Sequence, residues 1–132
     1  MRIARSIAPL SFALLLFVLA FSPGFERAAH AAAGSIAAGG DRSCAVDSAG
    51  AAYCWGDNPG GSLGNGGPIL RLAPIPVVGL SSGVAAVATN AAAYHTCAIT
   101  QAGAAYCWGD GVAGQLGNGS FASSTVPVLV VR

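Results

Sequence analysis

The sequence predicts an all-β protein: two four-stranded blades of an incomplete β-propeller, following an N-terminal signal peptide. Three observations carry that reading. From about residue 35 to 132 the chain is one unit written twice, at an offset of 53 residues. Each copy holds four short runs, β-branched or alternating in polarity and separated by Gly, Asn and Pro, which is strand-and-turn chemistry. Four strands in a repeat of this size is the arithmetic of a propeller blade. Composition agrees. Lys is absent, Glu occurs once and only 8% of residues are charged, so a charge-laced helical bundle is excluded. With 19 Gly and 7 Pro the chain is loop-rich, yet short of the roughly 25–30% that marks disorder.

The first element is an address. Arg2 and Arg5 precede the apolar run Ile7–Phe21, which gives way to Ser22-Pro23-Gly24 and then Ala29-His30-Ala31-Ala32-Ala33. A positive start, a short apolar middle and an A-x-A site describe a secretory signal peptide. Residues 1–31 are assigned to it, with cleavage after Ala31 and Ala33 as the second choice. The apolar run is shorter than the ~20 residues that cross a bilayer, so membrane contact is expected only in transit. The protein is expected to be exported, to the periplasm, the cell surface or the medium. Past residue 31 three Arg face four Asp. That stretch has no basic surface to displace counterions from phosphates, and no nucleic-acid partner is expected.

The two repeats are placed at 32–79 and 80–132. Cys44-Ala-Val…Gly50-Ala-Ala-Tyr-Cys54-Trp55-Gly56-Asp57 returns as Cys97-Ala-Ile…Gly103-Ala-Ala-Tyr-Cys107-Trp108-Gly109-Asp110. Leu63-Gly64-Asn65-Gly66 returns as Leu116-Gly117-Asn118-Gly119. In the first copy strands are expected near Ser35–Ala38, Ser43–Asp47, Ala51–Gly56 and Ile75–Val78. In the second they are expected near Val84–Ala88, Thr96–Thr100, Ala104–Gly109 and Val126–Val131. Upstream of the cysteines the second copy holds two extra residues near Asn90-Ala91.

The central hairpin follows from its turn. With Ser48-Ala49-Gly50 as a three-residue loop, Asp47 faces Ala51, and Gly50 supplies the left-handed residue that such loops need. Cys44 then faces Cys54. The same register in the second copy, with Gly103 in the turn, sets Cys97 opposite Cys107. In an exported chain this register selects the disulfides Cys44–Cys54 and Cys97–Cys107. Each closes a loop of eleven residues, worth about 2.8 kcal/mol by the loop-entropy model. A metal site is the rival, but the x9 spacing and two isolated histidines do not supply a ligand set. No cofactor and no metal are expected.

Other residues invite chemistry and read more simply as structure. His95, two before Cys97, has Arg42 as its counterpart, so a Cys–His nucleophile would exist in one copy alone. Asp57 and Asp110 follow Trp-Gly at a strand end, where Asp caps a turn. As equivalent positions they lack the unequal environments that acid–base pairs need. The runs Gly64-Asn65-Gly66 and Gly117-Asn118-Gly119 lack the Lys and helix of a phosphate loop and read as tight turns. Trp55 and Trp108, repeated in register, read as packing residues between neighbouring blades. The uncovered outer faces of a two-blade unit are expected to carry Val46, Tyr53 and Trp55, or Ile99, Tyr106 and Trp108. Self-association, or further blades, should cover them.

The run from Cys44 to Asp57, with Gly-Ser-Leu63-Gly-Asn-Gly66 and Pro-Val-Val, resembles the regulator of chromosome condensation repeat. The second copy, with Gly114-Gln-Leu-Gly-Asn-Gly119, is closer still, and the cysteine-containing form is similar to the exported bacterial branch of that family. The resemblance implies a β-propeller, usually of seven blades, of which two are present here. It assigns no ligand, because fold does not imply function. The function expected is an exported interaction module for an unidentified protein or glycan, without catalysis. Two alternatives stand beside it: a fragment of a longer propeller with no independent function, and an exported enzyme on a propeller scaffold.

Overall fold

The computed structural model describes residues 35–132. The expected signal peptide, residues 1–31, lies outside the described residues, as do the first three residues of the repeat placed at 32–79. Eight strands follow in order: β1 (Ile36–Gly39), β2 (Arg42–Val46), β3 (Ala52–Gly56), β4 (Arg71–Pro76), β5 (Val84–Thr89), β6 (His95–Thr100), β7 (Ala105–Gly109) and β8 (Ser124–Leu129). They form two antiparallel sheets in sequential order, β1-β2-β3-β4 and β5-β6-β7-β8. A single 3₁₀ turn, Pro59–Gly61, interrupts the connection from β3 to β4.

The hairpins obey their turns. Cys44 faces Cys54 and Val46 faces Ala52, while Cys97 faces Cys107 and Ile99 faces Ala105. Asp47 N–H donates to the Ala51 carbonyl, and Gly50 closes the loop at a φ of 82°. The two extra residues of the second copy lie in the β5–β6 connection, where the five residues 90–94 stand in place of Gly39, the last residue of β1, and the connection Gly40-Asp41.

The fourth strands depart from expectation. β4 runs Arg71–Pro76 rather than Ile75–Val78, and β8 runs Ser124–Leu129 rather than Val126–Val131. The cause is a register shift in β3 between Cys54 and Gly56, repeated in β7 between Cys107 and Gly109, which carries pairing on to Arg71 and Ser124. As edge strands they pair on one side only, so Pro74, Pro76 and Pro127 cost no central ladder bond. Gly56 sits at that shift by necessity. A Cβ there would lie 2.2 Å from the Asp41 carbonyl oxygen, and at Gly109 it would lie 2.3 Å from that of Tyr94.

One core lies between the sheets. Cys44, Val46, Ala52, Cys54, Leu63 and Val77 of the first blade meet Val84, Val87, Ala98 and Trp108 of the second, with Leu80 of the linker. The linker is stitched to the first hairpin: Ala52 N–H donates to the Leu80 carbonyl and Val84 N–H to that of Gly50.

Candidate functional site

The joint between the blades is the most constructed place in the molecule. β2 buries alternate residues Arg42, Cys44 and Val46, whereas β6 buries Thr96 and Ala98. At the repeat offset, Thr96 and Ala98 correspond to Ser43 and Ala45, the residues that β2 does not bury. The blades therefore meet with unlike faces. The first presents the face that carries Cys44, Val46 and Cys54. The second presents the face that carries Thr96, Ala98, Tyr106 and Trp108. This corrects the grouping of Val46 with Tyr53 and Trp55: period-2 alternation in a hairpin puts Val46 and Ala52 on one side, Ala45 and Tyr53 on the other. Val46 and Trp108 are sealed in the joint, not on outer faces.

Trp108 plugs the joint. It is 0% exposed, and its Nε1–H donates to the Ser62 carbonyl at 2.9 Å. Thr96, its cross-strand neighbour, donates Oγ1–H to the same carbonyl at 2.9 Å. The indole lies over Gly64, where a Cβ would come within 2.7 Å of Nε1 and 2.9 Å of Val77 Cγ1. On the other side of the joint, the Arg42 guanidinium donates to the carbonyls of Asn90, Ala93 and His95. Burial lowers its affinity for the proton, and the nearby acidic groups of Asp57 and Tyr94 oppose that only in part. Three acceptors around one buried cation fix the β5–β6 loop to the first blade.

The other predicted residues hold turns. Asp57 Oδ1 accepts from Asn58 N–H. Asp110 Oδ1 accepts from Val112 N–H and Ser123 Oγ. Asn65 and Asn118 accept two residues on, from Gly67 and Ser120 N–H, as Asx turns. Gly66 N–H donates across the joint to the Thr125 carbonyl, while a Cβ at Gly119 would stand in open space. The sulfurs of Cys44 and Cys54 lie 2.12 Å apart, and those of Cys97 and Cys107 2.09 Å apart. Among the described residues no three His, Cys, Asp or Glu are placed to hold a metal ion.

Sequence reasoning missed Asn58. It is buried, and its amide donates to the Gly67 and Ile69 carbonyls while its Oδ1 accepts from Leu63 N–H. It holds together the whole β3–β4 connection. The signal that could have found it is Asp-Asn-Pro at a turn, but its counterpart is Gly111, so comparing the repeats hides it. The connections also push apolar side chains outward: Ile69 and Leu70 in the first blade, Val112 and Phe121 in the second, with Leu72 on the β4 edge 93% exposed.

Two models described as the regulator of chromosome condensation (RCC1) repeat match the chain, one at residues 35–61 and 84–115, the other at 49–99 and 102–132. The RCC1 domain-containing protein RUG3, mitochondrial, of Arabidopsis thaliana is 32% identical over 108 residues, which are 82% of this chain and 24% of that protein. The human E3 ubiquitin-protein ligase HERC2 is 37% identical over 98 residues, 74% of this chain and 2% of that protein. Among solved structures, Prp20p from Saccharomyces cerevisiae, described with its binding to Gsp1p and histones, matches at a TM-score of 0.64 and 24% identity. Human WBSCR16 matches at 0.63 and 23%. Each solved match covers 74% of this chain and about a quarter of the other.

Proposed function

Because this chain belongs to the RCC1 repeat family, we propose that it works as an exported, non-catalytic module whose blade loops bind another protein. Repeats of this family are a protein-interaction scaffold, and Gsp1p and histones, which Prp20p binds, are proteins. The observation that carries the reading is the set of apolar side chains on the β3–β4 and β7–β8 connections. Ile69, Leu70, Val112 and Phe121 stand in solvent on loops whose ends are fixed by Asn58 and Asp110. Exposed aliphatic and aromatic residues on a rigid frame are what the centre of a protein interface uses. The relatives lend nothing to a glycan partner. Arg2, Arg5, the run Ile7–Phe21 and Ala29-His30-Ala31 support export.

Two experiments test this. A photo-crosslinking residue at Phe121 should yield a discrete adduct with a second protein species in the host, lost when Leu70 and Val112 become Asp. Absence of any adduct overturns the reading. Deleting residues 1–31 should leave the product in the cytoplasm. An exported product from that deletion would defeat the assignment of the leader.

A further inference from the structure

The joint between the blades leaves its two halves unused at the outer faces. Ser43 and Trp55 are a cross-strand pair, equivalent to Thr96 and Trp108. A hydroxyl and an indole N–H again stand side by side, and neither has a hydrogen-bond partner among the described residues. The equivalent of the Ser62 carbonyl is that of Gln115, which accepts no bond among the described residues. The cradle is repeated too. A Cβ at Gly117 would meet Val130 at 3.1 Å, as one at Gly64 meets Val77, but no indole lies over Gly117. Val46 and Val87 are 6% and 7% exposed inside the joint. Their counterparts Ile99 and Ile36 are 46% and 73% exposed, on opposite outer faces.

We propose that a second copy of this chain docks head-to-tail on these faces, repeating the internal joint. Trp55 of one copy seats over Gly117 of the next, and its Nε1–H and the Ser43 hydroxyl donate to the Gln115 carbonyl. Ile36 packs against Ile99. His95 takes the place of Arg42, with an imidazole N–H in reach of the Gly40–Arg42 loop. The joint is heterologous, so its repetition builds a ring or an open chain rather than a two-fold dimer. Rings of the propeller range, roughly four to eight blades, hold two, three or four copies.

This surface is distinct from the apolar loops, so the two ideas fail separately. Light scattering coupled to size exclusion, on the protein purified after expression of the full chain, should give a mass of two or more copies. Trp55→Ala alone and Ile99→Asp alone should each run as single copies with unchanged circular dichroism. Mixed in equal amounts they should form a 1:1 dimer and nothing larger. The first variant keeps an intact second-blade face and the other an intact first-blade face. Ile36→Asp, at a position too exposed to matter for folding, repeats the test should Trp55→Ala lower the melt. A single-copy wild-type protein at high micromolar concentration, or a mixture that stays monomeric, overturns the proposal. A loop adduct at Phe121 in a strictly monomeric protein would leave the module reading standing and this one refuted.

Discussion

Trp108 is sealed between two sheets, while Trp55, in the same Trp-Gly-Asp run one repeat earlier, is only partly buried. The pair shows how the two blades differ although their central hairpins pair residue for residue in the same register. In the first blade the buried hairpin residues are Arg42, Cys44, Val46, Ala52 and Cys54; in the second they are Thr96, Ala98, Cys107, Trp108 and Gly109. Leu63 and Leu116, by contrast, are both fully buried. A repeat thus has an interior of its own and two faces that acquire a role only from a neighbour. The first blade is covered on its cysteine face, the second on its tryptophan face.

Substitutions at equivalent positions should expose that difference. The largest effect is expected at the tryptophans. Trp108→Ala should cost about 3–5 kcal/mol by chemical denaturation, against about 1 kcal/mol or less for Trp55→Ala in the unassociated chain. Equal losses would mean that the outer face is as closed as the joint.

Arg42 and His95 come next. Arg42→Ala strands the carbonyls of Asn90, Ala93 and His95 and should cost about 2–3 kcal/mol, with loss of amide-exchange protection in the 90–94 loop. His95→Ala should cost less than about 1 kcal/mol. If Arg42→Ala left the loop protected, the guanidinium would not be what fixes it.

The turn glycines should separate more narrowly. Alanine at Gly50 or Gly103 takes on a left-handed conformation at about 1–2 kcal/mol. At Gly50 its Cβ also meets Gly83 N at 2.8 Å, whereas at Gly103 it meets nothing. Gly50→Ala should therefore exceed Gly103→Ala by about 1 kcal/mol or more, read from the difference in denaturation midpoints.

The smallest contrast is kinetic. Intact-mass analysis after alkylation without reductant should find no free thiol. Under limiting reductant, Cys97–Cys107, with Cys97 partly exposed, should open before Cys44–Cys54, which is fully buried. Peptide mapping of a partly reduced sample gives the order, and early loss of Cys44–Cys54 would mean that the joint opens readily.

The repeat offset, the number of strands per copy, the register of both hairpins and the opposition of the cysteines were all legible in the sequence. Each depends on local chemistry, above all on Gly50 and Gly103 in a three-residue turn, which pins every pair upstream of it. Asn58 was not legible, because its partners are backbone groups up to eleven residues away and its counterpart is a glycine. The start of β4 at Arg71 was missed because Gly56 marks where the register shifts but not how far pairing carries beyond it.

By itself the sequence determined the register of each hairpin, since the turn sets it, although the expected grouping of Val46 with Tyr53 and Trp55 missed the alternation of side chains along a strand. It could not determine which face a neighbour covers. That depends on the joint, where a backbone carbonyl at Ser62 and the space over Gly64 receive Trp108, and where Arg42 finds three carbonyls of the next blade. A carbonyl and a cradle have no residue identity to read; they exist only once two sheets have been brought together. Only the tertiary structure therefore decided that Val46 and Trp108 are core while Ile99 and Trp55 are surface.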